Sequence, residues 1–63
     1  MSDQVEVLMA LEPAQAMALA QFVKRVCWSE IRGNAVDDDE ACTMRDALEF
    51  LARALAEAGY APR

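Results

Sequence analysis

Sixty-three residues, 56% of them hydrophobic, make one small domain, too apolar for a disordered tail and too short to bury more than about 60% of its unfolded surface. Eleven acidic side chains against six basic ones give a formal charge of −5, which argues against unassisted binding to nucleic-acid phosphates and favours a basic partner surface. No apolar run reaches the roughly 20 residues of a membrane span and the N-terminus has no leader pattern, so a cytoplasmic protein without membrane association is expected.

Residues 5–11 (VEVLMAL) are rich in β-formers, and Glu6 between Val5 and Val7 begins an alternating pattern. One strand cannot satisfy its own backbone groups. It either pairs with the same strand of a second molecule, giving a homodimer, or stays an extended arm.

Glu12-Pro13 breaks this segment and puts proline at a helix start, where its missing N–H costs nothing. From Ala14 to Cys27 the spacing predicts a helix, with Ala16, Leu19, Ala20, Phe22, Val23, Val26 and Cys27 on one arc. Gln21, Lys24 and Arg25 fall opposite. Residues 28–35 (WSEIRGNA) hold the break, with Gly33-Asn34 as the turn dipeptide and a short helical turn around Ser29 and Ile31 before it.

The second main helix opens at Asp37-Asp38-Asp39-Glu40, with Asp37 as N-cap and Glu40 completing a capping box. It closes at Gly59, with Pro62 beyond. Ala41, Met44, Ala47, Leu48, Leu51, Ala52, Leu55 and Ala58 form its apolar arc. On the other side Arg45, Glu49, Arg53 and Glu57 alternate in sign at the four-residue spacing that favours ion pairing. The fold class expected is therefore mainly α: a short strand or extended arm, then two main helices with a helical turn between them. Its core joins Leu19, Phe22, Val23 and Val26 to Met44, Leu48, Leu51 and Leu55.

Catalysis finds little to work with. A nucleophilic Ser, Thr or Cys needs an activating base, and the chain has no histidine. Lys24 is the single lysine and falls on a solvated face. The run Asp37 to Glu40 lacks the alternating ligands and the glycine of a calcium loop, so no metal or other cofactor is expected. Cys27 and Cys42 read first as two reduced thiols, one on the apolar arc and one on a polar face.

Binding is better served. From Asp37 to Glu49 six acids (Asp37, Asp38, Asp39, Glu40, Asp46, Glu49) stand against Arg45 alone, a net −5. One acid suffices to cap the helix, and the rest are available to a basic protein surface. A second candidate interface is the stripe Met17, Gln21, Lys24, Trp28, in which Trp28 either anchors a partner or covers the end of a thin core.

Two families are similar to this arrangement. The order of strand, helix, turn containing Ser29-Glu30 and second helix resembles ribbon-helix-helix regulators and antitoxin N-terminal domains. That likeness implies a strand-paired dimer presenting Gln4, Glu6 and Leu8 to a DNA groove. The segments AQFVKRVCWSEIRGNAVDDDEA (residues 20–41) and ALAEAGYAPR (residues 54–63) resemble small acidic accessory proteins of phages and mobile elements of the anti-CRISPR type. That likeness implies a non-catalytic inhibitor in the host bacterial cytoplasm. It would occlude the basic nucleic-acid site of a defence effector, such as a subunit of a CRISPR surveillance complex, without binding nucleic acid itself.

Overall fold

A computed structural model describes residues 3–61. Among them the chain forms three helices and no strand: α1 (Pro13–Arg25), α2 (Trp28–Gly33) and α3 (Asp38–Glu57). Residues 3–11 lead into α1 as an arm with neither helix nor a ladder partner among the described residues.

Each helix starts where a side chain meets an orphan N–H. At α1 the Glu12 N–H donates to Gln15 Oε1 at 2.9 Å, and Pro13 has no N–H to satisfy. At α2 the Cys27 N–H donates to Glu30 Oε1 at 3.1 Å. Asn34 closes that helix, its Nδ2 donating to the Glu30 carbonyl at 2.9 Å. At α3 Asp37 Oδ1 accepts from the Glu40 N–H at 2.8 Å, as the capping pattern requires. The return bond differs from the expected box: Glu40 Oε1 accepts from Val36 N–H at 2.8 Å, one residue further back than the cap.

The end of α3 is a Schellman motif. Tyr60 N–H reaches the Leu55 carbonyl at 2.8 Å and Gly59 N–H reaches that of Ala56 at 3.0 Å. Gly59 adopts φ +98°, which a side chain would strain. The turn lays Tyr60 against the core cluster of Ala16, Ala20 and Leu55, with Leu19 and Leu51 packed beside it.

Small residues set the helix packing. Ala16 and Ala20 on α1 are buried against Leu55 of α3, and Ile31 of α2 and Ala41 of α3 are buried too. This corrects part of the expected core. Phe22 lies about 120° around α1 from Ala16 at 100° per residue, and it stands 57% exposed. Val23, Val26, Met44 and Leu48 are only half-buried. Cys27 is not on a buried arc: α1 stops at Arg25 and the backbone extends through Val26 and Cys27, leaving the thiol exposed at the head of α2. Cys42 is exposed, and both thiols are free.

The molecule is a slab of 34 × 33 × 17 Å. Its Cα radius of gyration is 12.8 Å, against about 10.6 Å for a compact chain of this length. No helix among the described residues is long and apolar enough to cross a membrane.

Candidate functional site

Helix α3 carries the acids, and its pitch decides which of them act together. At 100° per residue Asp38, Asp39, Asp46 and Glu49 fall within about 100° of one another, on the side away from Leu55 and Ala41. Asp37 stands at the head of this face as the cap. Glu40 does not join it, since its side chain folds back to Val36. All six carboxylate residues are exposed.

Three of these acids are held by local bonds. Asp37 Oδ1 accepts from Glu40 N–H, Glu40 Oε1 from Val36 N–H, and Asp38 Oδ1 from Arg32 Nε at 2.6 Å. Each is anchored through one oxygen. The second oxygen of each, and both oxygens of Asp39, have no hydrogen-bond partner among the described residues. The four acids from Asp38 to Glu49 span about 16 Å of helix axis in uneven steps, a pair at the start and a pair about 10 Å further on.

The cations nearby are drawn aside. Arg45 lies over the Trp28 ring, 5.6 Å from its centre, and only 3.9 Å from Asp46 at its nearest approach. Arg53, which shares the acidic arc, lies over Phe50 at 5.3 Å. Among the described residues neither pairs with Glu49 or Glu57, so the expected alternating ion pairs give way to cation–aromatic contacts.

The second candidate interface is divided. Met17 and Gln21 lie on α1, Met17 42% exposed and Gln21 half-buried, whereas Trp28 opens α2 beyond the extended link. A single stripe through all three required one continuous helix. Trp28 instead faces Arg45 and remains 42% exposed.

Beside that contact a cleft of about 370 Å³ opens between α1 and α3, lined by Val23, Lys24, Leu48, Glu49, Ala52 and Tyr60 among others. Among the described residues, no group of three or more His, Cys, Asp or Glu side chains is arranged to hold a metal ion. Glu30 has a displaced titration: hydrogen bonding to the Cys27 backbone, then to its side chain, holds the carboxyl below the usual glutamate value. Sequence reasoning missed this carboxylate, although Cys27-Trp28-Ser29-Glu30 has the spacing of a capping box with cysteine in the cap position.

No curated protein and no solved structure matches the chain. Its full length, residues 1–63, matches a family of unknown function, DUF7706, and the chain belongs to that family.

Proposed function

We propose that this protein is a non-catalytic inhibitor that works by binding. The acidic face of α3 docks on the basic nucleic-acid site of a bacterial defence complex and occludes it, in the manner of anti-CRISPR proteins. The observation that supports this reading most is the preorganisation of the acids. Asp37 and Asp38 are each fixed through one oxygen and keep the other open, Asp38 by its ion pair with Arg32, and Asp39, Asp46 and Glu49 continue the face, with Arg45 no nearer to Asp46 than 3.9 Å. Charged groups already held in place lose less conformational freedom on binding, and a single-sign surface speeds encounter with its opposite.

The test is capture of partners from a bacterial lysate on the immobilised chain, followed by mass spectrometry. The expected catch is a basic nucleic-acid-binding protein that elutes with rising salt and is lost with Asp38→Lys plus Asp39→Lys. Capture indifferent to that charge reversal counts against the reading. Capture of nucleic acid alone overturns it in favour of a regulator of the ribbon-helix-helix kind.

A further inference from the structure

We infer that the working form of the chain is a homodimer, in which the extended arms of two copies pair and together cover the outer apolar face of α3. This does not rest on the acidic docking, which begins at the N-terminal end of α3 about 18 Å from Phe50 and reaches the margin of the groove at Asp46 and Glu49.

The chain by itself is too open. It exposes 5324 Å², whereas a folded monomer of 6.9 kDa exposes about 4,000 Å². Five of the large exposed hydrophobic residues gather in one region. Val5, Val7, Leu8 and Met9 are 84, 79, 98 and 55% exposed, and Phe50 is 65% exposed. They line a groove of about 660 Å³ whose floor includes Ala47 and Ala54 of α3. Helix α3 explains why the groove exists. Its core-facing residues Ala41, Leu48 and Leu55 occupy one stripe, and Ala47, Phe50, Ala54 and Ala58 extend the apolar surface to an arc of roughly 180°, well beyond the roughly 100° of one core-facing stripe.

The arm identifies the occupant. No backbone group from residue 3 to residue 11 is hydrogen-bonded among the described residues, and the chain offers no strand there to pair with it. A second copy supplies that strand and a second groove at once, the self-complementary arrangement of a two-fold interface. Alternation puts Val5, Val7, Met9 and Leu11 on one face of the arm and Glu6 and Leu8 on the other, where antiparallel pairing centred on Leu8 sets Leu8 beside Leu8 of the second copy. Charge selects the direction. Parallel pairing in register would set Glu6 against Glu6, whereas antiparallel pairing centred on Leu8 sets it opposite Ala10.

Area is sufficient as well. The five exposed residues offer roughly 650 Å² per copy, so covering them in both copies removes up to about 1,300 Å² in total, which reaches the lower end of the range of stable interfaces. Asp38 and Asp39 lie about 18 and 16 Å along the axis from Phe50, beyond the Debye length of about 8 Å at physiological salt, and beside the nearer Asp46 and Glu49 the margin of the groove carries Arg53, which lies over the Phe50 ring at 5.3 Å.

The experiment is light scattering of the full chain up to about 100 μM, with circular dichroism on every variant. Wild type should have twice the 6.9 kDa chain mass. Leu8→Asp and Phe50→Asp, both at exposed positions, should keep their helix content and weaken association about 100-fold. Asp39→Lys should leave the dimer intact. As a measurement independent of those variants, Leu8→Cys combined with Cys27→Ser and Cys42→Ser should form an intermolecular disulfide on oxidation. A wild-type monomer at about 100 μM overturns the proposal, including one whose groove takes an added extended apolar peptide. So does a dimer indifferent to both aspartates.

Discussion

Arg32 ties α2 to the first residue of α3: its Nε donates to Asp38 Oδ1 at 2.6 Å while its Nη1 donates to the Ala35 carbonyl at 3.0 Å. One guanidinium thus spans the turn that aims the acidic helix. The ion pair is wet, with side chains 40% and 82% exposed, so it contributes below about 1 kcal/mol. Asp38→Asn should therefore destabilise little, and Arg32→Ala should cost more because the Ala35 carbonyl also loses its donor. Urea unfolding of the two variants checks the order; equal losses would mean that the Ala35 contact contributes nothing.

Neighbouring acids should behave differently. Asp37 caps α3 through the Glu40 N–H, and Asp39 has no such bond, its backbone carbonyl serving Thr43 Oγ1 instead. Asp37→Ala should cost about 0.5–2 kcal/mol and Asp39→Ala within about 0.5 kcal/mol. Thermal melts of both decide it, and a larger loss for Asp39→Ala would contradict the capping geometry.

Leu55 is the one large α3 side chain in the buried cluster with Ala16 and Ala20. Leu55→Ala should cost about 2–5 kcal/mol, enough to unfold so small a domain, and Leu48→Ala should cost less because Leu48 is half-buried. Ala41, with no exposed surface, leaves no room for growth, so Ala41→Leu should cost about 1–3 kcal/mol. Chemical denaturation of the three variants measures this; a neutral Ala41→Leu would mean the α2–α3 contact is loose.

Helix α3 was legible because its signals are local: an aspartate cap, four acids at the positive end, an apolar repeat and a terminal glycine. The end of α1 was less legible. The apolar repeat continues through Val26 and Cys27, but the backbone leaves the helix so that Cys27 can head α2, and only the Cys27 to Glu30 spacing signals it. Phe22 misled for another reason. Periodicity places it on the apolar arc, but the buried contact with α3 forms over Ala16 and Ala20, leaving Phe22 exposed. The acidic face was readable as charge, whereas its division, with Glu40 turned away and Arg45 drawn to Trp28, depends on tertiary placement.

Acid should loosen α2. The folded state holds Glu30 below the ordinary value of 4.5, so its contribution is complete above about that pH and disappears as pH falls through the lowered folded value. Glu30→Gln keeps an acceptor for the Cys27 N–H and should remove this acid limb. Amide signals of residues 28–33 followed by NMR from neutral to acid pH report it, and an unchanged limb in Glu30→Gln would assign the transition to another group.

Occlusion itself is tested most directly by competition. A labelled nucleic acid is bound to the captured effector at physiological salt, and the chain is titrated in. Displacement of the nucleic acid by wild type, weakened by Asp38→Lys plus Asp39→Lys and by added salt, is the expected result. A ternary complex that retains the nucleic acid, or binding of the chain to that nucleic acid without the effector, would contradict the account.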